Sequence, residues 1–273
     1  MLILMQQSLL SAVAACGFYF ILSKGLFDFS LGSNIILSAL IGCILSLQFG
    51  YIGLILGCII VGTAIGLING SLYILFKIPS IITTIGLLIL YECIAVILAG
   101  GRTHVLPEGL RLLGRAPYNV IIALLAFSLA AFLLKYTRVG IYAKAIGKNE
   151  PMAQSIGINI SKYKIIAFTL CGLFAGITAL LTISYSSSIL PVQGLASMAR
   201  NFQPIMGCFV GLAFKKHINP VISIYIGVLV VAMIMNGIMT LGADSTIQNV
   251  IIGLTLLVIV SIMSQKQAGA VVK

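Results

Sequence analysis

KYTRVGIYAKAIGKNEPMAQSIGINISKYK, residues 135–164, interrupts a chain that is otherwise apolar enough to sit in lipid. It holds Lys135, Arg138, Lys144, Lys148, Lys162 and Lys164, six of the sixteen basic residues. A short helix is written inside it. Asn149 or Glu150 can cap free backbone N–H groups, and Pro151 fits a first turn where no N–H is needed. Gly157 suits a left-handed stop, and Ser161 can cap the apolar run that follows. The stretch reads as a small surface helix held between two membrane spans. From these residues alone it either carries an interaction or merely sets orientation, as basic loops do.

The flanks confirm the solvent. Hydrophobic residues make up 60% of the 273 and charged residues 8%, against about a quarter charged in a soluble domain. One soluble core cannot hide that much apolar surface. The chain therefore reads as a single membrane domain over 1–273, an all-α polytopic transmembrane helical bundle, with 135–164 as a loop within it. The net charge of +11 is confined to loops without aromatic interleaving, so it is no nucleic-acid signal. Cys16, Cys43, Cys58, Cys93, Cys171 and Cys208 lie in apolar stretches with no CxxC pair, and read as buried small hydrophobes. The N-terminus lacks a basic start, and reads as a retained span rather than a cleaved signal.

A span needs about 20 apolar residues. Candidates lie near 6–23, 29–49, 51–76, 80–99, 118–134, 163–184, 203–214, 219–241 and 247–264, about nine segments. Of these, 203–214 is too short to cross unaided, and must be tilted, broken or re-entrant under cover of protein or water. With 135–164 inside, alternate counting puts Lys24, Lys77, the six residues above, Lys215, Lys216, Lys266 and Lys273 inside. Arg102, Arg111, Arg115 and Arg200 fall outside. Every lysine is then inside, as the positive-inside bias requires. This count leaves the N-terminus outside and the C-terminus in the cytoplasm.

Several polar residues stand out. Asp28 and Ser30 either cap the following helix or contact an ion or solute. Gly53, Gly57, Gly62, Gly66 and Gly70 let helices approach closely. Pro79 stops one helix and Ser80 can cap the next. Glu92, deep within a span and toward its outer end, either pairs with an outside Arg or lines a pathway. The outer loop 100–118, with His104 and Glu108, is either a landing surface for a partner or a solvated loop. His104 and His217 fall on opposite faces, so no metal pair is expected. Asn69-Gly70 and Asn236-Gly237 are 167 apart, an offset shared by Ile85-Gly86-Leu87 and Ile252-Gly253-Leu254. This points to two inverted halves, an arrangement common in transporters. A polar solute path would draw on Asn34, Asn69, Thr83, Thr84, Tyr185 and Asn236.

Residues 142–181 (YAKAIGKNEPMAQSIGINISKYKIIAFTLCGLFAGITALL), 27–33 (FDFSLGS) and 66–86 (GLINGSLYILFKIPSIITTIG) together resemble permease subunits of bacterial ABC importers. The group is the ribose-type and simple-sugar permeases, related to the branched-chain amino-acid permeases. The loop match runs through Ala143, Ile146, Gly147, Asn149, Glu150, Ala153, Gly157 and Ile158, then Phe168 and Gly172. The resemblance implies a translocation path for a small polar solute, most simply a sugar, delivered by an extracytoplasmic binding protein. It also implies a second permease copy, as homodimer or heterodimer, in the bacterial cytoplasmic (inner) membrane. Branched-chain amino acids or nucleosides are the alternative cargo. The helix near 149–157 is then a coupling helix for a separate ABC ATPase, with Gly147 and Gly157 turning the chain at its ends. ATP and Mg are used by that partner, and the chain itself is no enzyme. Family members usually have one more N-terminal helix. Where they carry paired glycines, this chain reads MGCFVGLAFKKHINP, keeping Gly207 and Gly211.

The residues agree on what is absent. No P-loop is written, because Gly140 and Gly147 are separated by six residues and Lys148 is followed by Asn149. No GxSxG or HExxH motif appears. An ion-coupled secondary transporter or channel would want paired intramembrane acids, and only Glu92 of five acidic residues lies well inside a span.

Overall fold

The computed structural model describes residues 2–214 and 219–240, together with 250, 253 and 254. The first helix, α1 (Leu2–Leu22), enters a buried bundle whose remaining members are α2 (Leu31–Phe76), α3 (Ser80–Ala99), α4 (Tyr118–Tyr136), α7 (Ile160–Ser186), α8 (Ala199–Phe214) and α9 (Pro220–Thr240). Between α4 and α7 lie α5 (Arg138–Lys148) and α6 (Glu150–Ser155). Among the described residues, six helices are long and apolar enough to cross a membrane. Their outer faces carry Ile52, Leu75 and Ile97 at 68%, 70% and 77% exposure, a surface suited to lipid rather than water.

The longest of the six is folded in two. Gly50 sits at φ 58 and ψ −138, a conformation that glycine alone adopts cheaply. Residues 31–49 and 51–76 then lie antiparallel, so that Gly57 faces Gly42 and Asn34 Nδ2 donates to the Gly62 carbonyl at 3.3 Å. The expected spans 29–49 and 51–76 are these two limbs.

The second limb packs on α7 through facing glycines. A methyl group built on Gly62 would lie 2.7 Å from the Gly172 carbonyl oxygen, and one on Gly66 would run into the Phe168 carbonyl. Small residues allow this approach in lipid, where dispersion rather than water drives association. Gly66→Val is therefore expected to cost roughly 1–3 kcal/mol through overpacking. Gly86→Val, with open space at its Cβ, serves as the control in thermal unfolding. Gly207 and Gly211 play the same part where α8 meets Val228 and Ser223 of α9.

Side-chain contacts sort the loops onto two faces. Tyr51 donates to the Gly109 carbonyl, and strand β1 (His104–Val105) pairs antiparallel with β2 (Ser188–Ile189). These contacts put 100–117 and 187–190 on one face, with Gln6 beside Arg115 and Tyr185. The opposite face carries 23–26, 77–79 and 135–159, where Gly147 abuts the Ser23 carbonyl and Asn219 lies near Lys135 and Lys144. Eight basic residues, Lys24, Lys77, Lys135, Arg138, Lys144, Lys148, Lys162 and Lys164, belong to this second face. Lys215, Lys216, His217, Lys266 and Lys273, with most of the segment 247–264, lie outside the described residues. Asn69-Gly70 lies in the second limb of α2 and Asn236-Gly237 in α9, Gly70 packing on Ile165 and Phe168 while the Cβ position of Gly237 is open. In the second match, Ile252 lies outside the described residues.

Local expectations need five corrections. Ser80 is the first residue of α3 and does not cap it, its Oγ accepting from Phe27 N instead. Asn159, not Ser161, caps α7, its Oδ1 accepting from Lys162 N at 3.1 Å. Ser30 occupies the N-cap position of α2 without capping it, because its hydroxyl donates to Asp28 instead. Gly147 is inside α5 and turns nothing, and its missing side chain makes room for Ser23. Cys93 is exposed on the outer face of α3, while the other five cysteines are buried.

Candidate functional site

Two chain breaks meet inside the bundle. After α1 the chain turns at Gly25 (φ 73) and runs without helix to Ser30. Its backbone N–H groups are taken by side chains of α3: Phe27 N donates to Ser80 Oγ and Phe29 N to Thr84 Oγ1, both at 3.1 Å. Asp28 is buried at 3% exposure, and its Oδ1 accepts from Ser30 N at 2.8 Å and Ser30 Oγ at 2.6 Å. Asn69 Nδ2 donates to Ser30 Oγ at 2.7 Å, and Tyr91 OH donates to Asn69 Oδ1 at 2.8 Å. The chain Tyr91–Asn69–Ser30–Asp28 thus satisfies a buried unwound segment, which an apolar interior demands.

The second break follows α7. Residues 190–195 run without helix to a tight turn at 196–198, with Gly194 and Leu195 in left-handed conformation at φ 76 and 68. This places Ser197 against Gly32. Glu92, 2% exposed, receives the turn: Oε2 accepts from Leu195 N at 2.9 Å and Oε1 from Ser197 N at 2.7 Å. Among the described residues Glu92 pairs with no arginine, and its carboxylate holds this turn instead. Asn201 Nδ2 donates to the Phe29 carbonyl, joining the two breaks. Asn201 Oδ1 and Ser197 Oγ are buried without a partner among the described residues. The short span expected at 203–214 is thus α8, entered from a re-entrant segment that protein covers.

Beside the second break lies a cavity of about 610 Å³. Gln7 and Ser11 of α1, Thr182 and Tyr185 of α7, Arg200 and Gln203 of α8 and Asn236 of α9 line it, between apolar patches such as Ile35 and Met235. Of the polar path residues read from the sequence, Tyr185 and Asn236 reach this cavity. Asn34, Asn69, Thr83 and Thr84 do not: each is buried and hydrogen-bonded within the chain, Asn34 also accepting from Ser38 and Thr83 donating to the Pro79 carbonyl. Gln7, Ser11, Thr182, Arg200 and Gln203 carried no local sequence signal, because three separate helices bring them together.

The lysine-rich face holds the other constellation. Asn149 caps α6, its Oδ1 accepting from Met152 N at 3.1 Å, with Pro151 in the first turn and Gly157 at φ 85 beyond the last. Ile146, Ala153 and Ile158 are buried against one another, with Tyr142, Ala145, Ile160 and Tyr163 around them. Ala143 is buried as well. Glu150 pairs with Lys164 Nζ at 2.7 Å, and that ammonium sits 5.7 Å from the Tyr73 ring centre. The ion pair and ring contact tie α6 to the ends of α2 and α7. Beneath α5, burial pushes the Lys24 ammonium down to about 8, and it donates to the Phe20 carbonyl at 3.1 Å. Outward from α6 point Met152 and Ile156, 64% and 68% exposed. Met152 lies within α6 and Ile156 is its C-cap, so the two large apolar side chains stand about one turn apart on a face otherwise rich in lysine.

The cap makes a local prediction. Asn149→Ala is expected to weaken α6 by about 1 kcal/mol. The readout is faster tryptic cleavage after Lys148, with cleavage after Lys77 unchanged.

A family described as branched-chain amino acid transport system / permease component matches residues 1–260. The chain is 26% identical to the ribose import permease protein RbsC of Escherichia coli K12 over 275 residues, covering 97% of this chain and 85% of that protein. It is 25% identical to the fructose import permease protein FrcC of Rhizobium meliloti over 285 residues, 96% of this chain and 76% of that one. Identity to the L-arabinose transport system permease protein AraH of Escherichia coli K12 is 28% over 267 residues, 94% and 80% of the two chains. No solved structure matches the chain.

Proposed function

We propose, from the premise that this chain belongs to the branched-chain amino acid transport system / permease component family, that it is the membrane-spanning permease of an ATP-driven importer of a simple sugar. The observation that carries the reading is α6: a capped, internally braced helix on the lysine-rich face, presenting Met152 and Ile156 to the outside. An amphipathic helix with such anchors fits a hydrophobic groove on a partner. That partner is a separate ATPase, which uses ATP and Mg, since the sequence contains no P-loop.

The lysine-rich face is cytoplasmic by the positive-inside bias, and the membrane is the bacterial inner one. An extracytoplasmic binding protein delivers solute to the opposite face, and a second permease copy completes the complex. Closure of the ATPase on ATP moves α6, and the Glu150–Lys164 pair with the Tyr73 contact passes that motion to α2 and α7. A two-state element biased from a remote site is what such coupling requires.

The test is reconstitution of the chain into proteoliposomes with the ATPase and binding protein of its own cell. ATP-dependent accumulation of ribose, fructose or arabinose is expected. Accumulation that follows an ion gradient and ignores ATP would sink the proposal.

A further inference from the structure

We infer that the cavity between α1, α7, α8 and α9 is a solute vestibule whose charge selectivity is set by Arg200, admitting neutral and anionic polyhydroxylated solutes and excluding cationic ones. The inference rests on the permease reading for the word solute, and on the cavity itself for the rest. Its volume of about 610 Å³ lies within the roughly 300–1,000 Å³ usual for small-molecule sites.

The lining has a definite chemistry. Gln7, Ser11, Thr182, Tyr185 and Gln203 face the cavity, and none of their side chains is hydrogen-bonded to the described remainder of the chain. Each of these groups both donates and accepts, as sugar hydroxyls do, so a polyol can satisfy them in several orientations. Arg200 differs. It carries five donors and no acceptor, and remains charged at any working pH. Among the described residues it forms no ion pair, and no described lining residue is acidic. Among the described residues Arg200 is thus the single cation lining a cavity walled in part by apolar side chains, and such a charge gives the cavity a positive potential. Oxygen acceptors and anions are drawn to it and ammonium groups are repelled. Arg200 is therefore a specificity residue, with Gln203 one turn further along α8.

Thiol labelling reads this without knowledge of the cargo. Ser11→Cys and Thr182→Cys are made separately in a Cys93→Ser background, since Cys93 is the exposed native cysteine. The full chain in lipid nanodiscs is treated with an anionic sulfonatoethyl or a cationic trimethylammonioethyl thiosulfonate. Rates are normalised to each reagent's rate with free cysteine. The anionic reagent is expected to react about tenfold faster than the cationic one, at the low end of the range for field focusing. Arg200→Gln should remove the bias and Arg200→Lys should keep it. The lysine variant thereby separates charge from a folding defect. Equal rates with Arg200 present, a bias that survives Arg200→Gln, or no labelling at either position each overturns the inference. Labelling needs neither ATPase nor binding protein, so a failed importer reading would leave this result standing, and the converse also holds.

Discussion

Replacing Met152 and Ile156 together by aspartate is expected to reduce ATP-dependent uptake by at least about a hundredfold while the permease still reaches the membrane. The reasoning is local. Both side chains are exposed and contribute nothing to the small core formed by Ile146, Ala153 and Ile158. The substitution therefore spares the fold of the loop. If the two are the anchors of a partner groove, burying a carboxylate at either contact costs about 2 kcal/mol or more, as anchor residues do. Together they weaken association by roughly 3–5 kcal/mol, about two to four decades in affinity. Uptake is measured in cells with permease abundance determined by immunoblot. Unchanged uptake would leave α6 without a partner on that face.

Glu92→Ala has the largest expected effect on stability. The carboxylate is buried and satisfies two backbone N–H groups from a segment about a hundred residues away. Bonds to a charged acceptor contribute about 1.5–3 kcal/mol each, and removal strands both donors in an apolar interior. A loss of about 3–5 kcal/mol is expected, with Glu92→Gln intermediate because it keeps one acceptor oxygen. Two readouts apply: the thermal unfolding midpoint in detergent, and chymotryptic cleavage near Leu195 once the turn is released. A wild-type midpoint in Glu92→Ala would mean that the re-entrant segment is held by other contacts.

These two sites show why the sequence was legible in some respects and not in others. The spans follow from local apolar length, so 80–99 coincides with α3, and the break between the expected spans 29–49 and 51–76 falls at Gly50. Asn149, Pro151 and Gly157 also act within a few residues of themselves, and α6 was readable from them. The Glu92 contact was not, because its partners are backbone groups that carry no residue signature. Nor was the Tyr91–Asn69–Ser30–Asp28 chain, which joins α3, the second limb of α2 and an unwound segment. Lining residues such as Ser11 and Arg200 look ordinary in isolation, since only tertiary packing gives them a common cavity. Met152 and Ile156 did have a signal in their four-residue spacing. It was hidden beside the residues that carry the family resemblance, several of which, Ile146, Ala153 and Ile158 among them, turn inward and hold the loop together.

The most direct measurement is what remains bound when the chain is purified from its own cell in mild detergent, identified by mass spectrometry. An ABC ATPase at equal stoichiometry is expected with the unaltered chain, and its loss is expected on deletion of residues 148–157. A chain that purifies alone in repeated trials, or that keeps its ATPase after the deletion, would contradict the claim that α6 is the coupling element.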